Sequence, residues 1–159
     1  MRNTKMALRW IAGVLKLNKI PFQITGGFAA KYYGSKRKLY DIDIEVPDKD
    51  IKRLKKITRR WIIYGPKRYK DKHWELLLLT LKYKGQRIDI NGADTRKRFD
   101  NKNGEWIKLN RSRFSKAKKV RIYGIEIPLE PKKSLIAYKK KLLRGVDKKD
   151  LSYIAGVEI

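Results

Sequence analysis

The stretch Tyr40-Asp41-Ile42-Asp43-Ile44-Glu45-Val46, with Thr25-Gly26-Gly27-Phe28-Ala29 ahead of it, decides how this chain is read. On a β-strand, residues i and i+2 share a face, so Asp41 and Asp43 point one way while Ile42 and Ile44 point into a core. Two like charges held that close repel each other. Such a pair persists where a cation occupies the space between, and a divalent metal with oxygen ligands fits that space.

Asp89 repeats the pattern in Ile88-Asp89-Ile90. Acids set between isoleucines on core strands cost desolvation unless each is paired or bound to metal. An ion pair with a lysine or arginine explains any one of them alone. The three together point to a metal site, because three carboxylates on neighbouring strands hold two Mg²⁺ about 4 Å apart, the clamp used in phosphoryl transfer. Gly26-Gly27, read as a turn between a strand and a short helix, lets backbone N–H groups approach a phosphate closely. A plain tight turn also uses two glycines.

The charge balance is extreme: 42 Lys+Arg against 16 Asp+Glu give a net +26 over 159 residues. A thermophile surface rich in lysine carries glutamate with it, and here the acids are missing. The surplus therefore points to a polyanionic partner, nucleic acid. There is no cysteine and a single histidine, His73, so a thiolate or histidine zinc site has no ligands and a metal must be held by carboxylates. That selects Mg²⁺ or Mn²⁺. Arg9 and Lys16 interrupt the first apolar run, which predicts neither a signal peptide nor a membrane span, and the chain is expected to be cytoplasmic.

The length suits one domain spanning 1–159, with a core over about 20–92, a basic segment over about 93–128 and C-terminal helices over about 130–156. Leu8, Ile11, Ala12 and Leu15 recur at helical spacing, which predicts an amphipathic helix over the first ~17 residues. A short strand over 22–25, the glycine turn, a helix over 28–33, the acid-bearing strand and a helix carrying Ile51, Leu54, Ile57 and Trp61 follow. Trp74 to Tyr83 is apolar throughout, hence a central strand, and Lys84-Gly85 turns it back into 86–90 as its antiparallel partner. Residues 95–119 read as a loop with one short strand near Trp106, then a hairpin over 120–127 and helices over 131–144 and 147–155. The class is α/β (α+β), a mixed sheet with flanking helices.

Taken together, Thr25-Gly26-Gly27-Phe28-Ala29, Gly34, Arg37, Asp41-Ile42-Asp43-Ile44 and Asp89 resemble the nucleotidyltransferase superfamily of DNA polymerase β type, above all its small antibiotic and abortive-infection members. The resemblance spans 22–90. Ser134 to Lys139 and Lys149-Asp150-Leu151 are similar to the helix pair that follows the catalytic core in those relatives, whereas 92–119 matches nothing in them. Leu39 departs from the pattern, since many relatives carry threonine or serine there. The resemblance implies a polymerase β-like core, with Asp41, Asp43 and Asp89 as metal ligands and Asp89 assisting deprotonation of the acceptor. It also implies that Gly26 and Gly27 cradle the triphosphate of an NTP while Arg37 and Lys139 offset its charge.

Lys139 stands out without any relative, because it falls at the centre of the apolar face formed by Leu135, Ile136, Leu142 and Leu143 and so needs an anion. Snorkelling at the core rim, or a bridge to Asp150 or Glu130, serves equally. In the basic segment, Arg96, Lys97, Arg98, Arg111, Arg113, Lys116, Lys118 and Lys119 are the candidate nucleic-acid contacts. Phe99, Trp106 and Phe114 either stack on unpaired bases or tuck back into the core. The expected activity is Mg²⁺-dependent transfer of NMP from an NTP to an acceptor hydroxyl on RNA, a tRNA 3′ end being one example, with release of pyrophosphate. Two alternatives are a metal-dependent nuclease and a non-catalytic nucleic-acid-binding protein of the same fold. The sequence leaves the oligomeric state open.

Overall fold

In the computed structural model, which describes residues 2–157, the chain opens with α1 (Thr4–Leu17). Its start is set by Asn3, whose side chain accepts the Met6 N–H at 2.9 Å and so satisfies one of the four free donors of the first turn. Ala7, Leu8, Ile11, Ala12 and Leu15 form the buried stripe that the periodicity predicts. β1 (Gln23–Thr25) leads into α2 (Gly26–Tyr32), and β2 (Asp41–Val46) into α3 (Asp48–Ile57). Then come β3 (Ile62–Lys70), β4 (Trp74–Tyr83), β5 (Gln86–Gly92), β6 (Lys97–Asp100) and β7 (Glu105–Lys108). The chain closes with β8 (Lys118–Ile122), β9 (Ile125–Leu129), α4 (Lys132–Leu142) and α5 (Gly145–Ile154).

The strands make one mixed sheet in the order β7-β6-β4-β5-β2-β1-β9-β8, with β3 on the other edge of β4. β2 runs parallel to β5 and β1 parallel to β9, while the remaining pairs are antiparallel. The fold is therefore the α+β class expected. Alternation does the positioning: Ile42, Ile44, Ile88 and Ile90 are fully buried on one face, where α1 and α3 pack against β5. Burying each such side chain stabilises the fold by about 1.5–3 kcal/mol. The acids are left on the opposite face.

Several elements differ from expectation. Gly26 and Gly27 do not form a free turn; they are the first two residues of α2. α3 ends at Ile57, and Trp61 instead closes a 3-10 turn (Arg59–Trp61), packing at 4.8 Å between ring centroids on Trp10. β3 has no counterpart in the sequence reading, because register shifts between Ile62 and Tyr64 and between Tyr64 and Lys67 break its alternation. The basic segment holds a hairpin, β6 and β7, rather than one isolated strand. Phe99 and Trp106 meet across it edge to face at 5.4 Å, so these rings pack on each other. α5 begins at Gly145, two residues before the expected start.

Candidate active site

Parallel pairing of β2 with β5 sets Asp43 beside Asp89 and Asp41 beside Arg87. Oxygens of Asp41, Asp43 and Asp89 consequently lie within 4.8 Å of one another, so the structure brings together the three acids singled out by sequence. Their environments differ. Asp89 accepts the Thr80 hydroxyl at 2.8 Å and the Arg87 Nε at 3.0 Å. Asp41 and Asp43 have no ion pair among the described residues, so a simple salt bridge accounts for Asp89 alone. Burial, then the charges of its neighbours, raises the pKa of Asp41 and raises that of Asp43 well above the ordinary carboxylate value. A hard divalent cation with oxygen ligands answers this donor set: it takes carboxylates and relieves their repulsion.

Gly26 is required by its surroundings. Its φ is +63°, and a Cβ there would overlap the Asp43 carboxyl group. At Gly27 a Cβ would strike the Arg37 guanidinium and sit 3.2 Å from Leu39 Cδ1. The glycine pair thus makes room for an acid on one side and a cation on the other. Both glycines line the same cavity as the acids.

Arg37 and Lys139 are present in that cavity wall, but both are already engaged. Arg37 donates from Nε and Nη2 to the two Asp150 oxygens at 2.9 and 3.0 Å. The ammonium of Lys139, 1% exposed, lies 3.1 Å from Asp147 and 2.9 Å from Asp150. Of the partners considered for it, Asp150 is the one found. Sequence reading passed over Asp147 and Arg144, although an acid at the third position of a helix is a recognisable start signal. Arg144 donates to Asp147 at 2.7 Å from Nε and at 3.1 Å from Nη2. Arg37, Lys139 and Arg144 against Asp147 and Asp150 leave one surplus positive charge, and Arg144 and Lys139 are the cations that favour an ionised Asp43.

The cavity has a volume of about 790 Å³. Past the acids it is walled by Trp74, Leu76 and Leu78 from β4, by Tyr138 from α4, and by Arg96 and Arg98 from β6 and the segment entering it. Glu45 and Glu130 also line it; by sequence only Glu130 has a place, as a candidate partner of Lys139. Glu45 is held by Arg96 at 2.7 Å, Ser112 at 2.7 Å and Gln23 at 2.8 Å. Glu130 accepts the Thr25 hydroxyl, and burial followed by the nearby Glu45 pushes its pKa up to about 8.

The eight basic candidates separate into groups. Arg96 and Arg98 line the cavity. Lys97 sits 3.6 Å from Glu75, and Arg111 is paired with Asp94 beside a smaller pocket of about 260 Å³ that Phe114 also lines. Arg113, Lys116, Lys118 and Lys119 are exposed.

No family model matches this sequence, and no curated protein does. Solved structures do share its fold. A protein from Thermotoga maritima provisionally assigned as a nucleotidyltransferase superposes with a TM-score of 0.73 at 20% identity, over 92% of this chain and 89% of its own. The lincosamide antibiotic adenylyltransferase LnuA, with lincomycin bound, gives 0.60 at 15% identity over 96% of each chain. The antibiotic-resistance factor ANT(2'')-Ia in solution gives 0.53 at 12% identity, over 93% of this chain and 82% of its own. The chain thus shares the fold of these three proteins, as the resemblance carried by the glycine pair and the three acids implies.

Proposed function

We propose that this protein is a divalent-metal-dependent nucleotidyltransferase that moves NMP from an NTP to an acceptor hydroxyl on RNA, releasing pyrophosphate. The observation that carries the reading is the convergence of Asp41, Asp43 and Asp89 within 4.8 Å beneath the Gly26-Gly27 backbone. Mg²⁺ or Mn²⁺ held by these acids would neutralise charge on the phosphates and polarise the α-phosphorus. Backbone N–H groups at Gly26 and Gly27 bind the triphosphate oxygens. Arg37, Lys139 and Arg144 supply the surplus positive charge that offsets it. Asp89, already oriented by Thr80 and Arg87, takes the acceptor proton as the hydroxyl oxygen bonds to the α-phosphorus and the bond to pyrophosphate breaks.

Electrostatics supports RNA as acceptor, because a net +26 repels a polycation and attracts a polyanion. Exposed Arg113, Lys116, Lys118 and Lys119, together with Lys97 and Arg111, would contact its backbone. Among the described residues no helix is long and apolar enough to cross a membrane. The proposed substrates, an NTP and RNA, favour the cytoplasm as the site of the reaction. A second reading, a small uncharged acceptor, is favoured by the apolar wall of Trp74, Leu76 and Leu78.

Incubation with Mg²⁺, total RNA and each α-labelled NTP in turn tests the proposal. Label should enter RNA with release of pyrophosphate, and Asp41→Ala should abolish it. Absence of label in every arm, or full transfer by Asp41→Ala, rejects it. Shortened RNA without pyrophosphate release would indicate a nuclease instead.

A further inference from the structure

Arg98 and Lys139 are the two cations among the described residues that are less than a tenth exposed, at 6% and 1%. Lys139 has two carboxylates within 3.1 Å. Arg98 has none within ion-pair distance among the described residues, and its guanidinium makes no hydrogen bond there. Arg98 lines the cavity, and none of its guanidinium nitrogens is both sealed from solvent and unpartnered, so the fork is open to an anion that enters. Arg96 shows the contrast. Two residues earlier and lining the same cavity, it is paired through Nη1 with Glu45 at 2.7 Å and through Nη2 with Ser112 at 3.0 Å, although its Nε is buried without a partner.

Position identifies the missing anion. Arg98 stands opposite Trp74 on β4, whereas Asp89 stands opposite Thr80. Six residues of strand at about 3.3 Å each separate the two backbones by on the order of 20 Å. Arg98 and the acids therefore enter one cavity from backbone positions well apart along the sheet. On the nucleotidyl-transfer reading, on which this step rests, the triphosphate lies at the acids, and the base and ribose of an NTP are uncharged. An anion that reaches Arg98 in this cavity then belongs to the second substrate.

We infer that Arg98 is the acceptor-binding residue, taking one phosphodiester of the incoming RNA strand a short distance inward from its reacting hydroxyl. Its planar fork suits two phosphate oxygens at once. The acceptor is then gripped inside the cavity as well as by the exposed basic surface, and a neutral acceptor leaves Arg98 without a partner.

The test uses the full chain, its Arg98→Met variant, and a short oligoribonucleotide in which each phosphodiester in turn is replaced by an uncharged methylphosphonate. Binding is read at near-physiological salt, with Mg²⁺ and a non-reactive α,β-methylene NTP analogue. One replacement near the 3′ end should weaken wild-type binding on the order of tenfold and leave Arg98→Met unaffected, since a charged hydrogen bond is lost in one protein only. Analogue affinity should be equal in both. Arg98→Met should melt no lower than wild type, because the guanidinium gives up no ion pair within the folded chain. Equal effects at every position in both proteins, weaker analogue binding by Arg98→Met, or a lower melting temperature would each overturn the assignment. Failure of the wild type to bind the analogue would count against nucleotidyl transfer, while the replacement scan would still decide the role of Arg98.

Discussion

Arg37 and Asp150, 113 residues apart in sequence, face each other through two N–H···O bonds of 2.9 and 3.0 Å. Arg37 belongs to the irregular segment ahead of β2 and Asp150 to α5, so this pair ties the segment carrying the chain into the acid strand to the last helix. Lys139 from α4 shares the same carboxylate at 2.9 Å. The cavity wall facing the acids is thus held by buried ion pairs, and their geometry depends on each partner being present.

Asp150→Ala strands Arg37 and leaves Lys139 with Asp147 as its one remaining carboxylate in a site that stays buried. Breaking a buried pair in this way costs about 3–5 kcal/mol, and the urea unfolding midpoint should fall accordingly. A loss below about 1 kcal/mol would mean that the network behaves like a surface ion pair.

Gly26→Ala should damage the proposed metal site more than the fold. The left-handed φ of +63° alone costs a non-glycine residue about 1–2 kcal/mol, and the new methyl group displaces the Asp43 carboxylate. Mn²⁺ binding followed by electron paramagnetic resonance should be lost while circular dichroism stays near wild type. Gly13→Ala is the control: it lies inside α1 with nothing within 4 Å of an added Cβ, and should stabilise by about 0.5–1 kcal/mol. Intact Mn²⁺ binding in Gly26→Ala would refute the contact as a determinant.

Asp43→Asn separates repulsion from metal binding. Without metal, removing one of three converging charges should raise the melting temperature, because burial and the charges of Asp41 and Asp89 both disfavour an ionised Asp43. With Mn²⁺ the order should reverse, since a ligand that binds only the folded state stabilises by RT ln(1 + [L]/Kd) and the variant loses that gain. Equal Mn²⁺-induced shifts in the two proteins would remove Asp43 from the metal site.

The sequence was legible where one physical rule dominates. Alternation in Ile42-Asp43-Ile44 and Ile88-Asp89-Ile90 sorts core from site with no tertiary knowledge, and the structure sets these two segments side by side in register. The stripe of α1 is equally plain. β3 was hidden because its bulges break alternation around Gly65-Pro66, and the β6-β7 hairpin because it has four residues per strand and many charges. The ionic network was half visible. A lysine on an apolar face announces a need for an anion, but which carboxylate answers depends on how α4 meets α5. Likewise Arg98 looked like one basic residue among eight until strand pairing turned it into the cavity.

Glu130 gives the protein a pH-dependent stability whose sign is fixed by the direction of its shift. Burial and the neighbouring Glu45 raise its pKa from 4.5 to about 8, so between these values the folded chain holds a proton that the unfolded chain has released. Stability from this group is full below pH 4.5 and is lost as pH rises through about 8, where the folded protein must also ionise. Glu130→Gln keeps an acceptor for the Thr25 hydroxyl and removes the titration. Melting temperatures measured from pH 5 to 9 should fall less steeply in the variant than in the wild type, the two curves separating most on the alkaline side. Parallel curves would show that Glu130 is ionised in the folded protein throughout, and that Arg96 and Lys139, the cations that lower its pKa, outweigh its burial.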